Sequence, residues 1–113
     1  MLVGGHVSIA GGISKAVPRA AEQGFNLIQI FVSSPRSFQA TVYSDEEIAE
    51  FNRLYKENNM QGLFFHAVYL VNLASEKKSL YGISQQSLIE YLRFGEQIGC
   101  TGTIFHIGSY KKL

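Results

Sequence analysis

The sequence predicts an α/β protein built on a parallel sheet, and three observations carry that prediction. Apolar strand-like runs alternate with segments of helical periodicity in the order strand, helix, strand, helix, strand, helix, strand, a pattern that implies right-handed crossovers and parallel pairing. The run Leu63-Phe64-Phe65 lacks polar alternation, as expected of a strand covered on both faces. The chain's three histidines each follow such a run: His6 after Met1 to Gly5, His66 after Leu63 to Phe65, and His106 after Thr103 to Phe105. Parallel strands present their C-terminal ends on one side, where ligands and catalytic groups gather, so the three imidazoles are expected to converge. An imidazole there can be a hydrogen-bonded structural group, a metal ligand, or an acid or base near neutral pH.

The first strand is expected over residues 2–6, and the glycines of Val7-Ser8-Ile9-Ala10-Gly11-Gly12 permit a tight turn or close backbone approach. Ile13, Ala16, Val17, Ala20 and Ala21 then recur at helical spacing. Ser14 is the expected N-cap, Pro18 falls at the edge of the first turn, and Gly24 stands where a helix-ending glycine belongs. The second strand, 25–32, opens into Ser33-Ser34-Pro35-Arg36-Ser37-Phe38-Gln39, a polar loop with cationic and aromatic members. Ser44-Asp45-Glu46-Glu47 reads as a capping box, with the Ser44 hydroxyl and the Glu47 carboxylate satisfying open backbone donors at a helix start. Ile48, Phe51, Leu54 and Tyr55 supply the apolar face of that helix. The third strand ends at His66, and a helix from about Ser79 to Ile98 places Leu80, Ile83, Leu88, Tyr91, Leu92 and Ile98 in register before Gly99. Thr101 to His106 is the fourth strand.

At 113 residues with 46% hydrophobic and 17% charged content, the chain is expected to be one soluble globular unit. Its formal charge of +1 carries no basic signature, so a nucleic-acid contact has to come from a local patch. Cys100 is the single cysteine; it is expected as a small buried residue at a strand entry and fits a reducing compartment. No run reaches membrane-spanning length and no leader segment is evident, so a cytoplasmic location is expected. There is no glycine-rich dinucleotide fingerprint, phosphate loop or paired-cysteine metal site.

With Gly5-His6-Val7-Ser8-Ile9-Ala10-Gly11-Gly12, Ile28-Gln29-Ile30-Phe31, Pro35-Arg36-Ser37-Phe38, His66-Ala67-Val68-Tyr69-Leu70-Val71-Asn72-Leu73 and His106-Ile107-Gly108-Ser109 in order along the chain, the sequence resembles the endonuclease IV family. These are zinc-dependent apurinic/apyrimidinic endonucleases of base-excision repair with a TIM (β/α)8-barrel fold. The resemblance implies that residues 1–113 form the N-terminal portion of such a barrel, about (βα)3β, with double-stranded DNA bearing abasic sites as partner. It implies hydrolysis of the phosphodiester on the 5′ side of the lesion. His66 and His106 match histidines that ligate the family's cluster of three zinc ions. Arg36 matches an arginine that enters the DNA at the lesion, and Tyr69 and Leu70 match loop residues that help hold the duplex open. His6, with Ser8, is expected to support a ligand or to touch DNA.

Elementary chemistry agrees with these assignments. Neutral imidazoles on rigid strand ends suit zinc, which activates water and offsets phosphodiester charge. An arginine between Pro35 and Phe38 can set a cationic, flat group beside an unstacked nucleotide. The chain departs from the family at Ser33-Ser34-Pro35, where many relatives carry a lysine and an asparagine, and at Ile107, where proline is usual. The family's later ligands lie on strands beyond Leu113, so the polypeptide alone is expected to be inactive or weakly active. Two other readings stand beside this one. One is a zinc- or manganese-using sugar isomerase or epimerase of similar fold, which has no use for a DNA-entering Arg36 or Tyr69. The other is a non-enzymatic half-barrel that associates with itself or with a complementary C-terminal half.

Overall fold

The computed structural model describes residues 1–33, 38, 41–68 and 70–108. Its strands follow the apolar runs, with β3 as expected and the other three shorter: β1 (Gly4–His6), β2 (Leu27–Ile30), β3 (Gly62–His66) and β4 (Gly102–Ile104). They form one sheet in the order β1-β2-β3-β4 with every pairing parallel, as the alternating pattern predicts. Between them lie a 3-10 turn (Ile13–Lys15) continuing into α1 (Ala16–Glu22), then α2 (Asp45–Glu57) and α3 (Lys78–Ile98).

The start of the chain, residues 1–3, does not join β1. Asn26 holds it instead, accepting from the Val3 N–H at 2.8 Å and donating to the Met1 carbonyl at 2.9 Å. The Val3 carbonyl also accepts from the Asn26 and Leu27 N–H groups at 2.8 and 3.1 Å. β4 likewise stops at Ile104, so His106 follows the strand rather than ending it.

Alternation along the strands sorts the core. Ile28, Ile30, Leu63 and Phe65 are almost wholly buried and pack with Ile13, Ala16, Val17, Ala20, Phe51, Tyr91 and Ile98. The opposite face, with Leu27, Gln29, Phe64 and His66, is only half-buried. β3 is therefore covered on one face among the described residues, not on both.

Local sequence explains the helix boundaries, with two corrections. α1 ends at Gly24 with φ 79°, where the Phe25 N–H bonds the Ala20 carbonyl and the Gly24 N–H bonds the Ala21 carbonyl, the pairing of a left-handed C-terminal cap. Its beginning differs from expectation. Ser14 is buried inside the 3-10 turn and is the residue being capped, its N–H donating to Glu47 Oε1 at 2.8 Å. The expected capping box is accordingly half-formed: Ser44 Oγ accepts from the Glu47 N–H, while the Glu47 carboxylate reaches across to the neighbouring turn.

On α3 the buried stripe is Ser84, Ser87, Tyr91, Gly95 and Ile98, whereas Ile83 and Leu92 are exposed. Small residues hold this helix close to the sheet, since a Cβ on Gly95 would lie 3.0 Å from Cys100 Cβ and 3.5 Å from Phe65 Cε2. Cys100 sits at the entry to β4, as expected, but is half-buried rather than buried, with Sγ 3.1 Å from the Gly102 carbonyl.

Candidate functional site

Register brings the histidines together. His6 pairs with Gln29 and Gln29 with Phe64. His66 is two residues beyond Phe64 and His106 two beyond Ile104, the partner of His66. Residues two apart share a face of a strand, so His6 and His66 occupy the face away from the helices, at the strand exits, and the His106 ring, just beyond β4, lies beside that of His66. Their rings form a continuous row through Phe31. The centroid distances are 4.6 Å from His6 to Phe31, 5.1 Å from Phe31 to His66, and 5.4 Å from His66 to His106. Phe31 was not among the residues singled out for a role. Its place as the first residue after β2, level with the exits of β1 and β3, is the signal that would have found it.

The two strand-end imidazoles have different neighbours. His66 Nδ1 is 2.7 Å from the Ala67 carbonyl oxygen, and His6 Nδ1 is 3.1 Å from Gln29 Nε2. Burial, and secondarily the nearby His66, hold the His6 pKa below its ordinary 6.5. Burial costs the charged form solvation and a second imidazolium would repel it, so His6 is neutral at pH 7.

Beside His6 a groove of about 610 Å³ runs between the 7–12 loop and Phe31, lined also by Ser8, Ser33, Thr41 and Tyr43. The loop is anchored rather than loose. The Ser8 carbonyl accepts from Arg19 Nη1 at 2.9 Å, the Ser8 hydroxyl accepts from the Ala10 N–H at 3.1 Å, and Glu47 secures Ser14 behind it. On the far wall the Tyr43 hydroxyl donates to the Val32 carbonyl and its ring stacks on Phe94 at 5.3 Å. Burial, followed by the Glu47 carboxylate, pushes the Tyr43 pKa up to about 12.

The loop after β3 is tied to α3 and to the segment after β4. The Val68 N–H donates to Tyr91 Oη, the Asn72 N–H to Ser84 Oγ, and the Leu73 N–H to the Ile107 carbonyl. Gly108 has φ 106° and passes so close to Asn72 that a Cβ would fall 2.1 Å from its Oδ1, so only glycine fits there. These bonds set the backbone around His66 and His106 as one unit. Leu70 rides on this loop, 42% exposed. Arg36 and Tyr69 lie outside the described residues.

Among the described residues no group of three or more His, Cys, Asp or Glu side chains is disposed to hold a metal ion. His66 and His106 fit zinc in kind, as imidazoles adjacent on one rigid face. Two imidazoles are half the number of ligands that zinc normally takes.

The family model described as a xylose isomerase-like TIM barrel matches residues 17–113. The chain is 39% identical over 110 residues to a probable endonuclease 4 of Halothermothrix orenii, covering 97% of this chain and 40% of that protein. A probable endonuclease 4 of Thermoplasma volcanium is 34% identical over 107 residues, covering 95% of this chain and 38% of that one. Among solved structures, endonuclease IV from Thermus thermophilus matches with a TM-score of 0.88 at 35% identity, over 96% of this chain and 40% of that one. The chain thus spans about 40% of the length of the curated relatives it matches.

Proposed function

The chain belongs to the xylose isomerase-like TIM-barrel family, and from that membership we propose that it carries the N-terminal share of an endonuclease IV-type function in DNA base-excision repair. The activity is zinc-dependent hydrolysis of the phosphodiester 5′ to an abasic site in double-stranded DNA, in the cytoplasm. The observation that carries the reading is the approach of His66 and His106, ring centroids 5.4 Å apart at the strand exits, in a fold that matches endonuclease IV over nearly the whole of this chain.

In this reading His66 and His106 hold zinc. Zinc bound there supplies an activated water and offsets charge on the phosphodiester. Arg36 enters the duplex at the lesion, and Tyr69 and the exposed Leu70 brace the opened DNA. β1 carries His6 and the anchored 7–12 loop carries Ser8 on the same side.

Two imidazoles are half of a zinc ligand set, so the 113-residue chain is expected to bind zinc weakly and to leave abasic DNA uncut. A zinc titration followed by a nicking assay on an abasic duplex tests this. Weak binding that disappears in His66→Asn and His106→Asn is the expected result, and metal-dependent cleavage by the chain alone would overturn the prediction of inactivity. Sugar isomerase or epimerase chemistry is the rival within the family. Arg36→Ala and Tyr69→Ala should weaken binding of an abasic duplex under the repair reading and leave it unchanged under the rival. Apolar side chains exposed beside both outer strands favour association with a second copy or a complementary C-terminal half.

A further inference from the structure

Neighbours of opposite hydrogen-bonding character set the tautomers of two imidazoles on one sheet face. The Ala67 carbonyl oxygen, 2.7 Å from His66 Nδ1, can only accept, so that nitrogen carries a proton and any lone pair of the neutral ring is on Nε2. With the Gln29 amide oriented so that its nitrogen lies 3.1 Å from His6 Nδ1, that nitrogen can only donate, and this orientation assigns the lone pair to Nδ1 and the proton to Nε2. Register makes the second contact: His6 and Gln29 are direct partners across β1 and β2, the arrangement in which side chains on one face meet. The first tautomer is that of a metal ligand whose other nitrogen is held by a carbonyl. The second is that of a neutral hydrogen-bond donor.

We propose that Gln29 is a positioning residue that fixes His6 as an Nε2–H donor to an anionic oxygen of the substrate and keeps this imidazole out of the metal's ligand set. Naming that oxygen as a phosphodiester oxygen rests on the endonuclease reading; the tautomer does not. His6 and Ser8 line the same groove, and the Ser8 oxygen already accepts from the Ala10 N–H, so its O–H is a second donor there. Neutral donors add affinity for a phosphate without displacing counterions, unlike a lysine or an arginine.

Ring-nitrogen correlation spectra of the ¹⁵N-labelled chain decide the matter. His6 is expected in the Nε2–H form and His66 in the Nδ1–H form. Gln29→Glu offers His6 only an acceptor and should move its proton to Nδ1 while leaving His66 unchanged. Backbone amide spectra check that the variant is folded, and if it is not, Gln29→Met should give His6 as a mixture of tautomers. Zinc should shift His66 and leave the His6 Nε2–H in place. Duplex DNA carrying a stable abasic-site analogue should shift that His6 proton and bind the neutral variant Gln29→Met more weakly, by up to about tenfold, the scale of one hydrogen bond to a charged oxygen. An Nδ1–H form of His6 in the parent chain, a tautomer indifferent to Gln29, loss of the Nε2 proton to zinc, or DNA binding that leaves His6 unmoved would each overturn the proposal. Failure of zinc to shift His66, or of DNA to bind, would instead defeat the endonuclease reading and leave the tautomer assignment standing.

Discussion

Tyr43 forms one wall of the groove, and its titration reports on how that wall is built. Its folded pKa is raised from 10.0 to about 12, first by burial and then by Glu47. An unfolded chain therefore releases this proton near pH 10 while the folded chain keeps it. With fewer protons bound in the unfolded state, stability falls as pH rises, so this contribution is intact below pH 10 and lost between pH 10 and about 12. Denaturant unfolding across that range should show a flatter alkaline limb in Tyr43→Phe, and an unchanged limb would show that Tyr43 is not the titrating group. Gly12 is the second residue with a sharp expectation. At φ 134°, with a Cβ due to fall 2.7 Å from Glu47 Oε1, Gly12→Ala should cost about 1–3 kcal/mol of stability through backbone strain and displacement of the carboxylate from Ser14. Urea unfolding measures it. At this scale the histidines are legible because each follows an apolar run, a signal contained in the local sequence. Gln29 and Phe31 gain their importance from residues on another strand, and no local pattern announces a cross-strand partner.

Helices and their ends show why element positions were readable and element contacts were not. Ser44 caps α2 and Gly24 ends α1 because those signals act within a few residues. The Glu47 carboxylate instead caps the 3-10 turn 33 positions away, a choice decided by packing of α2 against that turn. Glu47→Ala should therefore destabilise the fold by about 1–2 kcal/mol, the scale of a lost helix cap, while Glu47→Gln keeps an accepting oxygen and loses less. A urea series on both variants checks the order. The two glycines of α3 separate propensity from packing in the same way. Nothing lies within 4 Å of a Cβ on Gly82, whereas on Gly95 it would press on Cys100. Gly82→Ala is expected to stabilise by roughly 0.5–1 kcal/mol, and Gly95→Ala to destabilise despite the same gain in propensity. Thermal unfolding that moved both variants in one direction would contradict this account of how α3 meets the sheet. The apolar periodicity of α3 misassigned Ile83 and Leu92 to its buried face because the close approach selects Ser84, Ser87 and Gly95 instead.

For the molecule as a whole, the described residues leave apolar groups open along both sides of the sheet: Met1, Leu2 and Val3 beside β1, and Leu92, Ile104, Phe105 and Ile107 beside β4 and α3. Exposed strand edges with apolar flanks promote association. Sedimentation of the chain should show a mass that grows with concentration, and Leu92→Glu combined with Ile107→Lys should shift it toward the monomer; one constant mass in both proteins would refute the idea. The parallel α/β class was fully legible at this scale, because alternation of strand and helix periods is a property of the whole sequence. The order of strands in the sheet repeats their order in the chain, which bears on how the protein is made. Every strand after the first pairs with the one completed just before it, so a chain emerging from a ribosome always has its next docking edge already in place. Assembly can proceed in the direction of synthesis, with the search for partners confined to one βα unit at a time.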